Sequence, residues 1–174
     1  MLWLKLLRVR KADFVLWLSQ FVFQRKFTGS SSIHQENRAM RTFIFACIHN
    51  AGRSQMSAAF FNQLADPSQA QGISAGTQPA ERVHPVVVDV MREVGIDLAD
   101  AKPQKLTAEL AQGAELLVTM GCGDECPYVP GLKRDDWPLP DPKGQPIEFV
   151  RQIRDEIRRR VETLIEVAEV PARA

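Results

Sequence analysis

Two rhythms alternate along the second part of this chain. "TFIFAC" (42–47) is almost continuously apolar and β-prone, the pattern of a strand covered on both faces within a parallel sheet. "RSQMSAAFFNQLAD" follows at helical spacing, with Met56, Phe60 and Leu64 on one face. "GISAG" (72–76) reads as a second short strand. "ERVHPVVVDVMREVG" then aligns Val83, Val86, Val87, Val90, Met91 and Val94 in one stripe, with Gly95 as a ready helix stop. "ELLVTM" (115–120) is a third buried strand, and "KRDDWPLPDPKG" is loop-like with a short strand possible before its prolines. A long closing helix carries Ile147, Val150, Ile153, Ile157, Val161, Leu164 and Ala168 inwards, with "RDEIRRR" largely on its wet face. Strands alternating with helices give an α/β domain with a parallel sheet, whose ligands bind at the carboxyl ends of the strands. Cys47 and Cys122 both lie at or just beyond such ends.

Composition divides the chain in two. Its 174 residues are 45% hydrophobic and 25% charged, enough for one globular domain with some excess. Residues 1–39 hold seven Lys/Arg and two acids, against fifteen and nineteen in 40–174. The first part mixes basic and bulky apolar residues and ends in "TGSSS". Its longest apolar stretch, Phe14 to Phe23, is interrupted by Ser19 and Gln20 and falls well short of the roughly 20 residues of a membrane span. It has no clear small-residue cleavage site, so it does not read as a secretory signal. A basic, tryptophan-bearing helix on a membrane surface is one reading. The simpler one is an extension outside the fold, or a start assigned too early, with Met40 the natural first residue. The domain is then 40–174. Three cysteines, Cys47, Cys122 and Cys126, are too few for a secreted disulfide framework and fit a reducing cytoplasm. No basic stripe, repeat or interleaved aromatics point to a nucleic-acid partner.

The stretch "CIHNAGRS" (47–54) carries the chemistry. A short loop from strand to helix turns successive N–H groups inwards, backed by the positive end of the helix dipole. Ile48, His49, Asn50, Ala51, Gly52, Arg53 and Ser54 would form that oxyanion cradle. Gly52 eases the curvature, and Arg53 returns a planar fork to the same cavity. Cys47 sits at the base, where such surroundings favour thiolate over thiol. Ser54 can donate to the sulfur and Asn50 can hold the loop's shape. His49 contributes its backbone rather than a catalytic imidazole, and His84 beside Pro85 reads as a helix-start residue.

"CIHNAGRSQM" resembles the signature loop of the low-molecular-weight protein tyrosine phosphatases, and more closely the arsenate reductases that share their fold. The resemblance continues through "SAGTQPAERVHPVVVDVMREVGIDL", "KPQKLT", "VTMGCGDECP" and "DWPLPDP", covers nearly all of 42–165 and includes none of 1–39. It implies a flavodoxin-like four-stranded parallel sheet, order 2-1-3-4, with helices on both faces. It also implies a general acid in the aspartate before proline, Asp141. Protonating a poor leaving oxygen is worth about 10²–10⁴-fold. The bland alternative is a turn aspartate, while Asp135 and Asp136 read as solvated surface.

A phosphatase needs one nucleophile, yet this chain adds Cys122 and Cys126 in "GCGDECP". What the resemblance implies is reduction of arsenate to arsenite for arsenic detoxification. Cys47 forms a thiol–arsenate adduct, Cys122 attacks the Cys47 sulfur, and Cys126 attacks Cys122, with Gly121 and Gly123 letting the loop travel. The reductant would be thioredoxin, glutaredoxin or mycoredoxin, or a low-molecular-weight thiol resolving the adduct directly. The Cys-x3-Cys spacing is closer than in the thioredoxin-coupled enzymes. With only His34, His49 and His84 besides, it makes a poor zinc site. Ala58 stands where some relatives carry a helix glutamate associated with potassium, so neither metal nor cofactor is expected. The competing functions are a tyrosine phosphatase and a non-catalytic oxyanion or redox sensor. Against the phosphatase, "DPKGQP" lacks the aromatic residues that would wall a phenyl ring, and Tyr128 is the only tyrosine.

Overall fold

The computed structural model describes residues 39–122 and 126–173. Except for Ala39, the proposed extension lies outside the described residues, as does Gly123. Four strands, β1 (Arg41–Cys47), β2 (Ala70–Gly76), β3 (Leu116–Met120) and β4 (Lys133–Asp136), form one sheet in the order β2-β1-β3-β4, all parallel. The helices are α1 (Arg53–Leu64), α2 (Pro85–Arg92), the single turn α3 (Ala108–Ala111) and α4 (Ile147–Val167). The expected sheet order is the one found.

Period-2 alternation along β1 sorts its side chains between two apolar layers. Phe43, Phe45 and Cys47 face the larger layer with Met56, Phe60 and Phe61 of α1, Val87, Val90 and Met91 of α2, and the buried stripe of α4. Ile44 and Ala46 face a smaller layer with Leu106, Ala111, Leu117, Cys122 and Cys126. Each fully buried Phe or Ile contributes about 1.5–3 kcal/mol. Gly95, at φ +80°, ends the turn after α2, with its N–H on Arg92 O as expected of a C-terminal stop.

One detail differs from the sequence reading, and a second adds to it. Arg154, expected on the wet face of the last helix, is buried, with its Nη1 donating to Val90 O at 2.8 Å and to Glu93 at 2.9 Å. The guanidinium ties α4 to α2, and its aliphatic stem covers apolar surface on the way. Asp135 and Asp136 are exposed, but both hold local structure: Trp137 Nε1 donates to Asp135, and Thr119 Oγ1 to Asp136.

The sheet's carboxyl edge is where these elements converge. Cys47 ends β1 and pairs in register with Gly76 on one side and Met120 on the other. Residues 48–52 then run directly into α1.

Candidate active site

Every carbonyl from Cys47 to Gly52 accepts a hydrogen bond from outside the loop. Thr77 N donates to Cys47 O, Gln78 N to Ile48 O, Ala80 N to His49 O, His84 N to Ala51 O and Met56 N to Gly52 O, at 2.8–3.2 Å. Gln55 Nε2 donates to Asn50 O at 3.1 Å. In a trans peptide the next residue's N–H points opposite to the carbonyl. The N–H groups of residues 48–53 are therefore turned to the inner side of the loop, as a cradle for an anion requires.

Asn50 fixes this geometry. It adopts φ +49°, a left-handed conformation that asparagine tolerates better than most residues. Its Oδ1 accepts from Gln104 N at 2.8 Å, and its Nδ2 donates to Ser54 Oγ at 2.8 Å. That leaves the Ser54 hydroxyl proton to point at Cys47 Sγ, 3.0 Å away. Cys47 is a free, buried thiol at the base. Gly76 makes the close approach possible: a Cβ there would lie 2.6 Å from Ile48 O and 2.8 Å from Asn50 N.

Arg53, the first residue of α1, is buried and folds back over the cradle. Its Nη1 donates to Leu139 O and its Nη2 to Asp141 Oδ2, both at 2.8 Å. Its Nε is buried without a hydrogen-bond partner among the described residues. A buried N–H left in this way is costly, so this edge of the fork is suited to accept an oxyanion. Asp141 holds a turn and also lines the pocket beside Arg53. Oδ1 accepts from Lys143 N at 2.9 Å while Oδ2 meets Arg53. Pro142 packs over Gly52, whose substitution would put Cβ 2.6 Å from Pro142 Cγ.

Cys47, His49, Ala51, Gly52, Arg53, His84 and Asp141 line one small pocket. His84 is the residue that sequence reasoning left aside. It is the helix-start residue expected, capping α2 ahead of Pro85, but its ring also borders the cleft. Burial pushes its imidazole below the ordinary value, opposed by Asp141 and assisted by Lys143 and His49. No side-chain pattern in the sequence signals this second position, which follows from the main-chain bond of His84 N to Ala51 O.

Cys122 and Cys126 are joined by a disulfide and are both buried. They pack in the smaller layer, across the sheet from the face that receives Cys47. Gly121, at φ +77°, begins this segment beside Arg53 Nη1. The three cysteines are thus not gathered at one point: Cys47 is in the cradle, and the bonded pair lies behind the strand end. Among the described residues, no cluster of three or more His, Cys, Asp or Glu could hold a metal ion. No described helix is long and apolar enough to cross a membrane.

The family described as low molecular weight phosphotyrosine protein phosphatase matches residues 42–173. The chain is 35% identical over 134 residues to arsenate reductase 1 of Bacillus cereus, covering 74% of this chain and 97% of that protein. It is 34% identical over 129 residues to the glutaredoxin arsenate reductase of Synechocystis, covering 72% and 97%. Among solved structures, the thioredoxin-dependent arsenate reductase of Corynebacterium glutamicum superposes with a TM-score of 0.63 at 33% identity. That match covers 75% of this chain and 62% of that one.

Proposed function

Because the chain belongs to the low molecular weight phosphotyrosine protein phosphatase family, we propose that it uses the family's cradle to reduce arsenate to arsenite. The observation that carries this reading is a free Cys47 under an anion cradle together with a Cys122–Cys126 disulfide. Hydrolysis of a phosphate ester needs the first and has no use for the second. The relatives named arsenate reductases support the same choice.

Arsenate enters with its oxygens on the N–H groups of 48–53 and on Arg53 Nε. Cys47 attacks arsenic, and an oxygen leaves as water after taking a proton from Asp141. Cys122 thiolate then attacks Cys47 Sγ. The S–As bond breaks with its electron pair on arsenic, arsenite departs, and a Cys47–Cys122 disulfide remains. Cys126 attacks Cys122, releases Cys47 as thiolate and leaves the Cys122–Cys126 bond. An external dithiol protein of the thioredoxin or glutaredoxin type, or a low-molecular-weight thiol, returns the two electrons. Since the pair lies across the sheet from Cys47, the segment starting at Gly121 must carry Cys122 around the end of β3.

The family's own description favours a second reading, aryl phosphate hydrolysis. Lys143, Gly144 and Gln145 after Pro142 supply no aromatic wall for it. The test is steady-state arsenite formation with thioredoxin, glutaredoxin and low-molecular-weight thiol systems offered separately, beside p-nitrophenyl phosphate hydrolysis. Arsenite with at least one reductant is expected. Brisk ester hydrolysis with no arsenite from any system would replace this reading with the second.

A further inference from the structure

A bound oxyacid dianion such as arsenate or phosphate keeps one O–H at neutral pH. Inside the cradle its oxygens meet the N–H groups of 48–53 and the Arg53 guanidinium, all donors, while the Cys47 sulfur faces the central atom it attacks. An O–H turned inwards would set hydrogen against hydrogen, so the protonated oxygen must face the mouth. Acceptors there come from the pocket's other lining residues, Asp141, His49 and His84. Asp141 is engaged by Arg53 and by Lys143 N, and in the scheme above it gives a proton at the mouth rather than accepting one.

We propose that His84 is a specificity-determining residue that accepts the hydrogen of this outward O–H, so that the site prefers free oxyacids to their esters. The inference rests on the oxyanion site proposed above, but not on arsenate being turned over. His84 is built into the cradle. Its N–H is fixed on Ala51 O at 2.9 Å, and its ring carbon Cδ2 lies 3.8 Å from where a Gly52 Cβ would stand. Burial lowers its pKa against the pull of Asp141, with Lys143 and His49 acting alongside burial. The ring is therefore neutral at pH 7.5 and keeps one nitrogen as an acceptor. With the O–H hydrogen on His84, its oxygen lone pairs remain open towards Asp141, the side from which a proton would arrive. A phosphate monoester dianion has no such hydrogen, and its substituent at the mouth would face an acceptor with nothing to accept.

Calorimetric titration of the full chain with inorganic phosphate and with methyl phosphate at pH 7.5 tests this. Both ligands are bound without redox chemistry, so failure here is distinct from failure of the arsenate assay. The unsubstituted protein should bind phosphate more tightly. His84→Phe should weaken phosphate by about two- to tenfold, the range of one hydrogen bond, and change methyl phosphate by less than twofold. His84→Gln, which retains an acceptor oxygen, should recover part of the loss. Equal affinity for the two ligands in the unsubstituted protein overturns the proposal without any variant. So does a His84→Phe effect of the same size on both.

Discussion

Gly76→Ala isolates the support of the cradle from its chemistry. Gly76 is not among the left-handed residues, so an alanine meets no backbone penalty and the effect is steric. Its Cβ would stand 2.6 Å from Ile48 O, 2.8 Å from Asn50 N and 2.9 Å from Asn50 Cβ, several tenths of an ångström inside ordinary contact. Two of these are backbone atoms of the cradle, which cannot swing aside as a side-chain tip could. Gly76 cannot retreat either. Its N–H is held by Gln104 O and its carbonyl by Leu106 N, at 2.9 and 2.8 Å. The loop must give, and overpacking of this kind costs about 1–3 kcal/mol. In a domain of this size that is about 3–5 °C of Tm per kcal/mol. Displacing the N–H groups by a fraction of an ångström to an ångström should cost up to about 10²-fold in single-turnover arsenite formation. Guanidinium unfolding gives the first quantity and rapid quench the second. Stability within about 0.5 kcal/mol of the unsubstituted protein, together with unchanged turnover, would refute the reasoning.

Other outcomes follow from the same geometry. Cys47→Ser should abolish arsenate reduction, and retained turnover in a reductant-coupled assay would end the covalent scheme. Arg53→Lys cannot reach Leu139 O and Asp141 while also offering a fork; its kcat/KM should fall about 10²–10³-fold, and near-normal efficiency would sink the cradle model. With one equivalent of arsenate, Cys126→Ser should stop after one reduction as a Cys47–Cys122 disulfide, and Cys122→Ser should stall at the adduct. Disulfide mapping by mass spectrometry reads both, and full multiple turnover by both variants with a small thiol would remove the relay. Arg151 and Arg154 hold the Glu93 carboxyl down at about 2. Stability from this contact is present above the ordinary carboxylate range and lost as pH falls towards 2. The gap between the unsubstituted protein and Glu93→Gln should therefore close between about pH 4.5 and 2 in acid unfolding; a gap that widens there would contradict the assignment.

Elements that declare themselves by period and punctuation were legible in the chain. The unbroken run Thr42–Cys47, the stripe from Val83 to Val94 and the glycine at 95 each have one economical structural solution. Cradle residues were legible because cysteine, glycine and arginine at that spacing between a strand and a helix have few other uses. Arg154 was misread because its neighbours in "RDEIRRR" look solvated. Periodicity cannot tell that one arginine of the run faces the Val90 carbonyl and Glu93 across a helix interface. His84 was read only by what precedes a proline. Its second role depends on the β2–α2 connection wrapping the cradle, which is written in main-chain hydrogen bonds that no side-chain pattern encodes.

The cysteine pair marks a different limit. Sequence could propose Cys122 and Cys126 as partners because both follow a strand end, but chain order does not say which face of the sheet they occupy. Cys47 lies on the face covered by α1, α2 and α4, while residues 117 and 122 turn to the opposite layer. A relay among the three thiols therefore demands motion of a segment whose anchor, Gly121, already has left-handed backbone geometry and lies near Arg53, where an added Cβ would stand 3.3 Å from Nη1. That proximity offers a route for coupling the two halves of the proposed chemistry. An oxyanion that engages Arg53 acts on a residue beside Gly121, so occupancy of the cradle should alter how readily Cys122 is reached. A thiol-labelling rate for reduced Cys122 that changes when inorganic phosphate is added to Cys47→Ser is the expected result. An unchanged rate at saturating phosphate would mean that the segment moves independently of the site it serves.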